Sequence, residues 1–216
     1  MNLPWIIAYM PNAIIMALLL SIFAIPKYGF IIAMTQGPII MFYSYVAHII
    51  AHSFSNYEWI NKYNPHVQSH HSKNWNLPRW LDLLIESLYD LSTFGTVLVT
   101  QWYFDFELIH PWVVIAAGIT YTLIHVLDYS ILNPCQYHQE HHQHTFCNYG
   151  PEIFDHLLNT RCDNSSPYRD TLKESAYTVL ACVITYGLKQ YTDYFPDEPN
   201  PPAPRSVSGS DDTIRT

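Results

Sequence analysis

Residues 3–25 and 30–47 carry no charged side chain. At 1.5 Å per residue the first stretch is long enough to cross a hydrocarbon core of roughly 30 Å as a helix. Two such stretches separated only by Pro26-Lys27-Tyr28-Gly29 read as a membrane hairpin closed by a tight turn. Pro11 and Gly37-Pro38 fall inside the stretches, where kinks are tolerated. Residues 91–104 and 111–124 are apolar but shorter, with Asp105-Phe106-Glu107 turning the chain between them. Each covers only about 21 Å as a helix, so it either extends into its polar flank or joins its neighbour in a buried soluble hairpin. Residues 81–90 are amphipathic, with Asp82, Glu86 and Asp90 at i, i+4, i+8 on one face. Residues 176–188 read as a packing or interfacial helix. The expectation is an all-α integral membrane protein with about four transmembrane helices in two hairpins and a cytosolic, histidine-rich helical cap. Residues 1–193 form its one domain, and residues 194–216 form a disordered Pro/Ser/Asp-rich tail.

Composition fits that reading. Only 13% of residues are charged, and 17 tyrosines and 6 tryptophans suit membrane interfaces. A net charge of −8 argues against a nucleic-acid partner. The apolar N-terminal run is too long and lacks the basic flank of a cleavable signal. Cys135, Cys147, Cys162 and Cys182 form no CxxC pair and are expected as reduced thiols. If both hairpins insert from one side, their turns lie opposite the histidines. One turn holds Lys27, and the other nine lysines and arginines are expected on the histidine side, which is therefore assigned to the cytosol. The sequon Asn164-Ser165-Ser166 should then stay unmodified.

The chain's 12 histidines are clustered. His48 and His52 share a helix face at the end of the second stretch. His66, His70 and His71 follow, then His125 at the end of an apolar stretch. In HQEHH, His138, His141 and His142 fall on one stripe, since a helix advances about 100° per residue. Neutral imidazoles suit iron, zinc or copper. Eight or nine exceed the four ligands of one tetrahedral zinc and imply two metals. The metals would sit at the membrane surface above an apolar cavity, where an enzyme oxidising a lipid chain needs them. His144 is ambiguous, and His110 and His156 read as ordinary polar residues.

At these residues the chain resembles the fatty acid hydroxylase/sterol desaturase superfamily, whose boxes read HxxxH, HxxHH and HxxHH followed by NYG. HIIAH is His48–His52, HQEHH is His138–His142, and Asn148-Tyr149-Gly150 follows. Residues 154–160 look like a diverged form of the family's last element. The resemblance spans roughly residues 30–162. It implies a non-haem dimetal centre of two iron ions, with zinc a substitute acquired on purification, and O2 as co-substrate. The implied ligands are His48, His52, His66, His70, His71, His138, His141 and His142, with His125 matching an additional family histidine. Asp155 would orient a ligand. Electrons would come from cytochrome b5 and its reductase, since the chain has no dinucleotide-binding or haem segment of its own. A eukaryotic member would reside in the endoplasmic reticulum membrane. The chain departs from the pattern in three places. HVQSHH has one residue too many, so on a regular helix His71 points about 140° from His66 and a bulge is required. Tyr129 stands where some relatives have a histidine, and Asn159-Thr160 replaces Gly-Thr.

The expected function is O2-dependent hydroxylation of a membrane lipid such as a sterol or fatty acyl chain, with desaturation as the nearest variant. A non-catalytic membrane metal-binding or scaffold protein is the alternative from another class. A third reading, a membrane zinc hydrolase, needs a carboxylate base, for which Glu140 is the one candidate within the boxes.

Overall fold

The computed structural model describes residues 3–72, 75–132, 136–162 and 171–194. All regular structure among them is helical. Helix α1 (Leu3–Ser21) leads through a short 3-10 turn into α2 (Ile25–Ser53). The cap follows: a 3-10 turn, α3 (Glu58–Asn61) and a π-helix, π1 (His66–His71). Helix α4 (Arg79–Tyr103) and α5 (Pro111–Thr122) come next, and α5 continues directly as a second π-helix, π2 (Leu123–Leu132). Helices α6 (Gln136–Gln143), α7 (Glu152–Leu158) and α8 (Thr171–Tyr194) complete the described chain. The expected tail, the sequon and Cys135 lie outside the described residues.

Three helical stretches are long and apolar enough to cross a membrane: Tyr9–Asn56, Arg79–Tyr103 and Pro111–Leu132. The first folds back on itself. Its helix stays regular through Pro26-Lys27-Tyr28, where the sequence suggested a turn, and breaks at Gly29 (φ 71°, ψ 168°). That conformation is open to glycine because it lacks a Cβ. The reversal seats Gly37 on α1, where the Gly37 amide donates to the Ser21 hydroxyl at 3.0 Å. The shorter apolar stretches do extend into their flanks. Residues 81–90 and 91–104 join in the single helix α4, and π2 lengthens α5.

Outward faces are apolar, as in lipid-facing helices: Ile31 is 83% exposed, Val99 63% and Val183 63%. Exposed aromatics mark both ends, with Trp59, Tyr63 and Trp80 on the histidine side and Trp102, Tyr103 and Phe104 on the other. Inside, Leu20, Ile40, Phe94, Val113 and Ala117 pack into one apolar core. Two buried glutamines are paired, which relieves the cost of a polar group where water is absent. Gln101 accepts from the Leu108 and Ile109 amides and donates to the Ile109 carbonyl, closing the turn between α4 and α5. Gln36 accepts from the His110 amide. At that end Glu107 accepts from Lys27 at 2.5 Å and from the Tyr28 hydroxyl at 2.6 Å, tying the two turns together.

Helix α8 packs on α1 and α5 and runs from the histidine end to the turn end. Lys173 pairs with Asp128 at the former. Cys182 meets the Leu19 carbonyl midway. Lys189 lies near His110 at the latter, where burial first, then Lys27 and Lys189, lower the histidine's pKa. The expectation that every base except Lys27 lies on the histidine side is therefore corrected: Lys189 does not. The sequence hid this because Ser175, Thr178 and Thr185, buried against the bundle, dilute the helix's hydropathy.

Candidate metal centre

Helix α2 delivers His48 and His52 from successive turns of its last stretch, with Nε2 atoms 3.2 Å apart. The Nε2 of His66 lies 3.0 Å from each. His71 Nε2 is 3.2 Å from that of His66, and His141 Nε2 is 3.1 Å from that of His52. The five ligand atoms all fall within 4.8 Å of one another. Imidazole nitrogens bound at about 2.1 Å to one ion and at right angles to each other are separated by about 3.0 Å.

Outer contacts fix the tautomers. His48 Nδ1 donates to the Tyr149 carbonyl at 2.5 Å, and His141 Nδ1 donates to the Cys147 carbonyl at 2.7 Å. A carbonyl only accepts, so the proton sits on Nδ1 and the Nε2 lone pair faces the other histidines. Lone pairs converging at this distance with no proton between them repel, and a cation at their centre removes the repulsion.

A second group adjoins the first. Nε2 of His70 is 3.2 Å from that of His138 and 2.9 Å from that of His142, and the latter two are 2.8 Å apart. The His125 ring centroid lies 4.1 Å from that of His70 and 5.3 Å from that of His138. Its Nε2 is buried and has no hydrogen-bond partner among the described residues. On the far side of these rings stand two buried carboxylates: Glu86 accepts from His70 Nδ1 at 2.7 Å and Asp90 from His125 Nδ1 at 3.1 Å. Asp82, on the same face of α4, takes the hydroxyl of Ser69 beside His70. A carboxylate behind a ligating imidazole fixes the ring and raises its basicity. Burial first, and neighbouring histidines next, lower the pKa values of His66, His70, His71, His138 and His141. These side chains are therefore neutral, in the ligating form, at neutral pH.

The extra residue in HVQSHH is absorbed as the sequence required. Residues 66–71 form a π-helix, whose wider turn brings residues five apart onto nearly one face. His66 and His71 thus point together. His71→Ala should lower metal content as far as His142→Ala does, measured by elemental analysis of purified protein. Unchanged loading would exclude His71 as a ligand. The π-helix carrying His125 was not foreseen.

The loop after α6 holds the centre from behind. Asn148 adopts a left-handed conformation (φ 56°) and donates to the Tyr137 carbonyl at 3.1 Å. Asp155 accepts from the Tyr149 and Gly150 amides and from the Thr160 and Tyr137 hydroxyls, at 2.6–3.1 Å. Burial nevertheless pushes its carboxyl up to about 6. Asp155 therefore orients His48 at one remove, through the Tyr149 carbonyl, and touches no ligand directly. The same loop corrects the expectation for the cysteines. Asn148 bonds the Thr160 carbonyl and the Cys162 amide, bringing Cys147 and Cys162 to a Cα separation of 5.2 Å, where they form a disulfide. Cys182 is a free, buried thiol.

All nine candidate histidines come together at one end of the bundle. His144 is exposed and outside both groups, His110 caps α5 by accepting from the Trp112 amide, and His156 stacks on Tyr9. Glu140 bonds Gln136 and Asn148 and belongs to neither group. Glu86 and Asp90 were not recognised as partners of the histidines from sequence. Their i, i+4 spacing on a helix that turns apolar was the available signal. No family model matches the chain, and comparison with curated proteins and with solved structures gives no match.

Proposed function

We propose that this chain is a multi-pass membrane oxidase that hydroxylates or desaturates a lipid, using O2, at a centre of two iron ions. The observation that carries the reading is the pair of adjoining histidine groups, with Nε2 lone pairs turned inward, set against an apolar cavity. His48, His52, His66, His71 and His141 would hold one ion. His70, His138 and His142, with His125 alongside, would hold the other. Iron bound there supplies O2 activation and removal of hydrogen from an unactivated carbon. The protein's own residues hold the nine imidazoles in place, keep His66, His70, His71, His138 and His141 neutral, and present the greasy cavity to the centre. The resemblance of the boxes to the fatty acid hydroxylase/sterol desaturase superfamily supports the same reading.

On this reading the fold-back at Gly29 together with α4 and α5–π2 would make four crossings in two hairpins, with α8 running alongside them. Among the described bases, Lys62, Arg79, Arg161 and Lys173 stand at the histidine end and Lys27 and Lys189 at the other. This balance favours a cytosolic metal centre, in the endoplasmic reticulum membrane of a eukaryotic cell, whereas the Cys147–Cys162 disulfide at the same end favours an oxidising compartment. Electrons come from an external donor of the cytochrome b5 and reductase kind. Iron-loaded protein in lipid should consume O2 and form oxidised lipid only after such a donor is added. Turnover without reductant would contradict the mechanism. A fully reduced, iron-loaded protein that oxidises no lipid would leave a metal-binding scaffold.

A further inference from the structure

The Cys147–Cys162 disulfide closes the loop that backs the first histidine group. Two peptide units of that loop each hold a histidine. The carbonyl of Cys147 accepts from His141 Nδ1 at 2.7 Å, and the carbonyl of Tyr149 accepts from His48 Nδ1 at 2.5 Å. The N–H of each unit is held from behind. Behind the Tyr149 carbonyl, the Gly150 amide donates to the buried Asp155 carboxylate at 2.6 Å. Behind the Cys147 carbonyl, the Asn148 amide donates to the Thr160 carbonyl at 2.9 Å. The Asn148 side chain also accepts from the Cys162 amide at 2.8 Å. His48 therefore leans on Asp155, whereas His141 leans on residues 160–162, which the disulfide pins to Cys147.

Opening the bridge would not unfold the loop. The Asp155 carboxylate also accepts from the Tyr149 amide and the Thr160 hydroxyl, and the Asp155 carbonyl accepts from the Thr160 amide. None of these bonds involves sulfur, so the change is confined to residues 147 and 160–162 and to the ring of His141. The bridge is also within reach. Cys147 is half-buried between exposed residues of the cap, whereas Cys162 is 8% exposed. An attacking thiolate meets Cys147 first. The described bases place this end of the bundle in the cytosol, where thiols are kept reduced and the disulfides that do form are mostly transient and redox-sensing. A pair that opens and closes reconciles the bridge with that placement.

We propose that Cys147 and Cys162 form a thiol–disulfide switch that sets how tightly the first histidine group holds its ion. One thiolate of a cellular dithiol attacks Cys147 Sγ, the Sγ–Sγ bond breaks, and Cys162 leaves as a thiolate that takes up a proton. The second thiol of the reductant then displaces Cys147 from the mixed disulfide. The protein gains two electrons and two protons, and the dithiol becomes a disulfide. The Cys147 carbonyl loses its covalent clamp, His141 loses a fixed acceptor, and the affinity of the five-histidine group falls. The histidines of the second group lean on Glu86 and Asp90, so that group is untouched. Oxidised glutathione restores the bridge by the reverse exchange. The inference rests on the metal-centre reading and on the cytosolic placement, but it is measured without turnover.

The test is chelator competition on the full-length, zinc-loaded protein in nanodiscs, before and after reduction with a phosphine that is then removed. Alkylation of the denatured protein, read by mass, counts the two thiols gained. Reduction should weaken one zinc ion about tenfold, leave the other and the helical circular dichroism unchanged, and reverse with oxidised glutathione. Cys147→Ser combined with Cys162→Ser should show the weakened ion from the start and ignore the reductant. Membranes trapped with an alkylating agent should contain both the dithiol and the disulfide form. Affinities indifferent to an opened bridge, equal weakening of both ions, or a double variant as tight as the oxidised protein would overturn the switch and leave the metal centre standing. A pair bridged in every trapped chain, or in none, would overturn it too. An oxidised protein that binds no zinc would sink the metal-centre reading and the switch with it.

Discussion

Glu86→Ala should weaken the second histidine group's hold on its metal by about 10–100-fold, and Asp90→Ala should act on the same ion by a similar factor. Glu86 is 4% exposed and Asp90 1%, so each acceptor is buried beside its imidazole. Without Glu86, His70 Nδ1 has no carboxylate at 2.7 Å to hold its proton, and the ring is free to turn or to take the other tautomer. Without Asp90, His125 Nδ1 loses the carboxylate at 3.1 Å and its Nε2 loses its aim. Competition with a chelator, followed by metal analysis, reads the affinity directly. The expected pattern is selective: one ion becomes labile and the other, held by the group around His52, does not. Loss of both ions in parallel, or of neither, would refute the assignment of these acids to the second group.

Gly37→Leu should destabilise the protein more than any single cap substitution, and Gly37→Ala should already be damaging. A Cβ at Gly37 would lie 2.1 Å from the Ala17 carbonyl oxygen and 2.7 Å from the Ser21 hydroxyl. The first of these is backbone and cannot step aside, so α1 and α2 must separate. Overpacking of this kind costs about 1–3 kcal/mol for modest insertions, and a leucine exceeds a modest one. Helix α2 also carries His48 and His52, so the displacement should reach the metal centre. Thermal unfolding in detergent should show a lower midpoint for Gly37→Ala and little folded protein for Gly37→Leu. Gly95→Ala is the control, since nothing lies within 4 Å of the added carbon. A Gly37→Ala protein as stable as the control would show that the two helices do not pack as described.

The histidine stripes were legible because helical period alone converts spacing into facing: His48 and His52, and His138 with His141 and His142, needed no tertiary knowledge. The bulge in HVQSHH was legible for the same reason, as a misfit in that period. The roles of Glu86 and Asp90 were not, because an acid on an amphipathic helix looks the same whether it faces water or an imidazole. Only the packing of α4 against π1 and π2 decides between them. The break at Gly29 was anticipated as a turn, but the persistence of helix through Pro26 was not, since proline fits the first turn of a helix and does not end one there. The Cys147–Cys162 pairing depends on the path of the loop held by Asn148 and Asp155, which spacing does not encode. The course of α8 was obscured by threonines that face the protein interior rather than lipid.

Metal stoichiometry is the most direct test of the central claim. Detergent-purified protein would be analysed by elemental mass spectrometry beside a variant with His138, His141 and His142 all changed to alanine. The account predicts about two ions per wild-type chain, as five-histidine and three-histidine groups at one end of the bundle require. It predicts that the variant loses the ion held by His70, His138 and His142 and binds the other weakly, since His141 belongs to the first group. A folded wild-type protein with no bound metal, or a variant that keeps both ions, would contradict it.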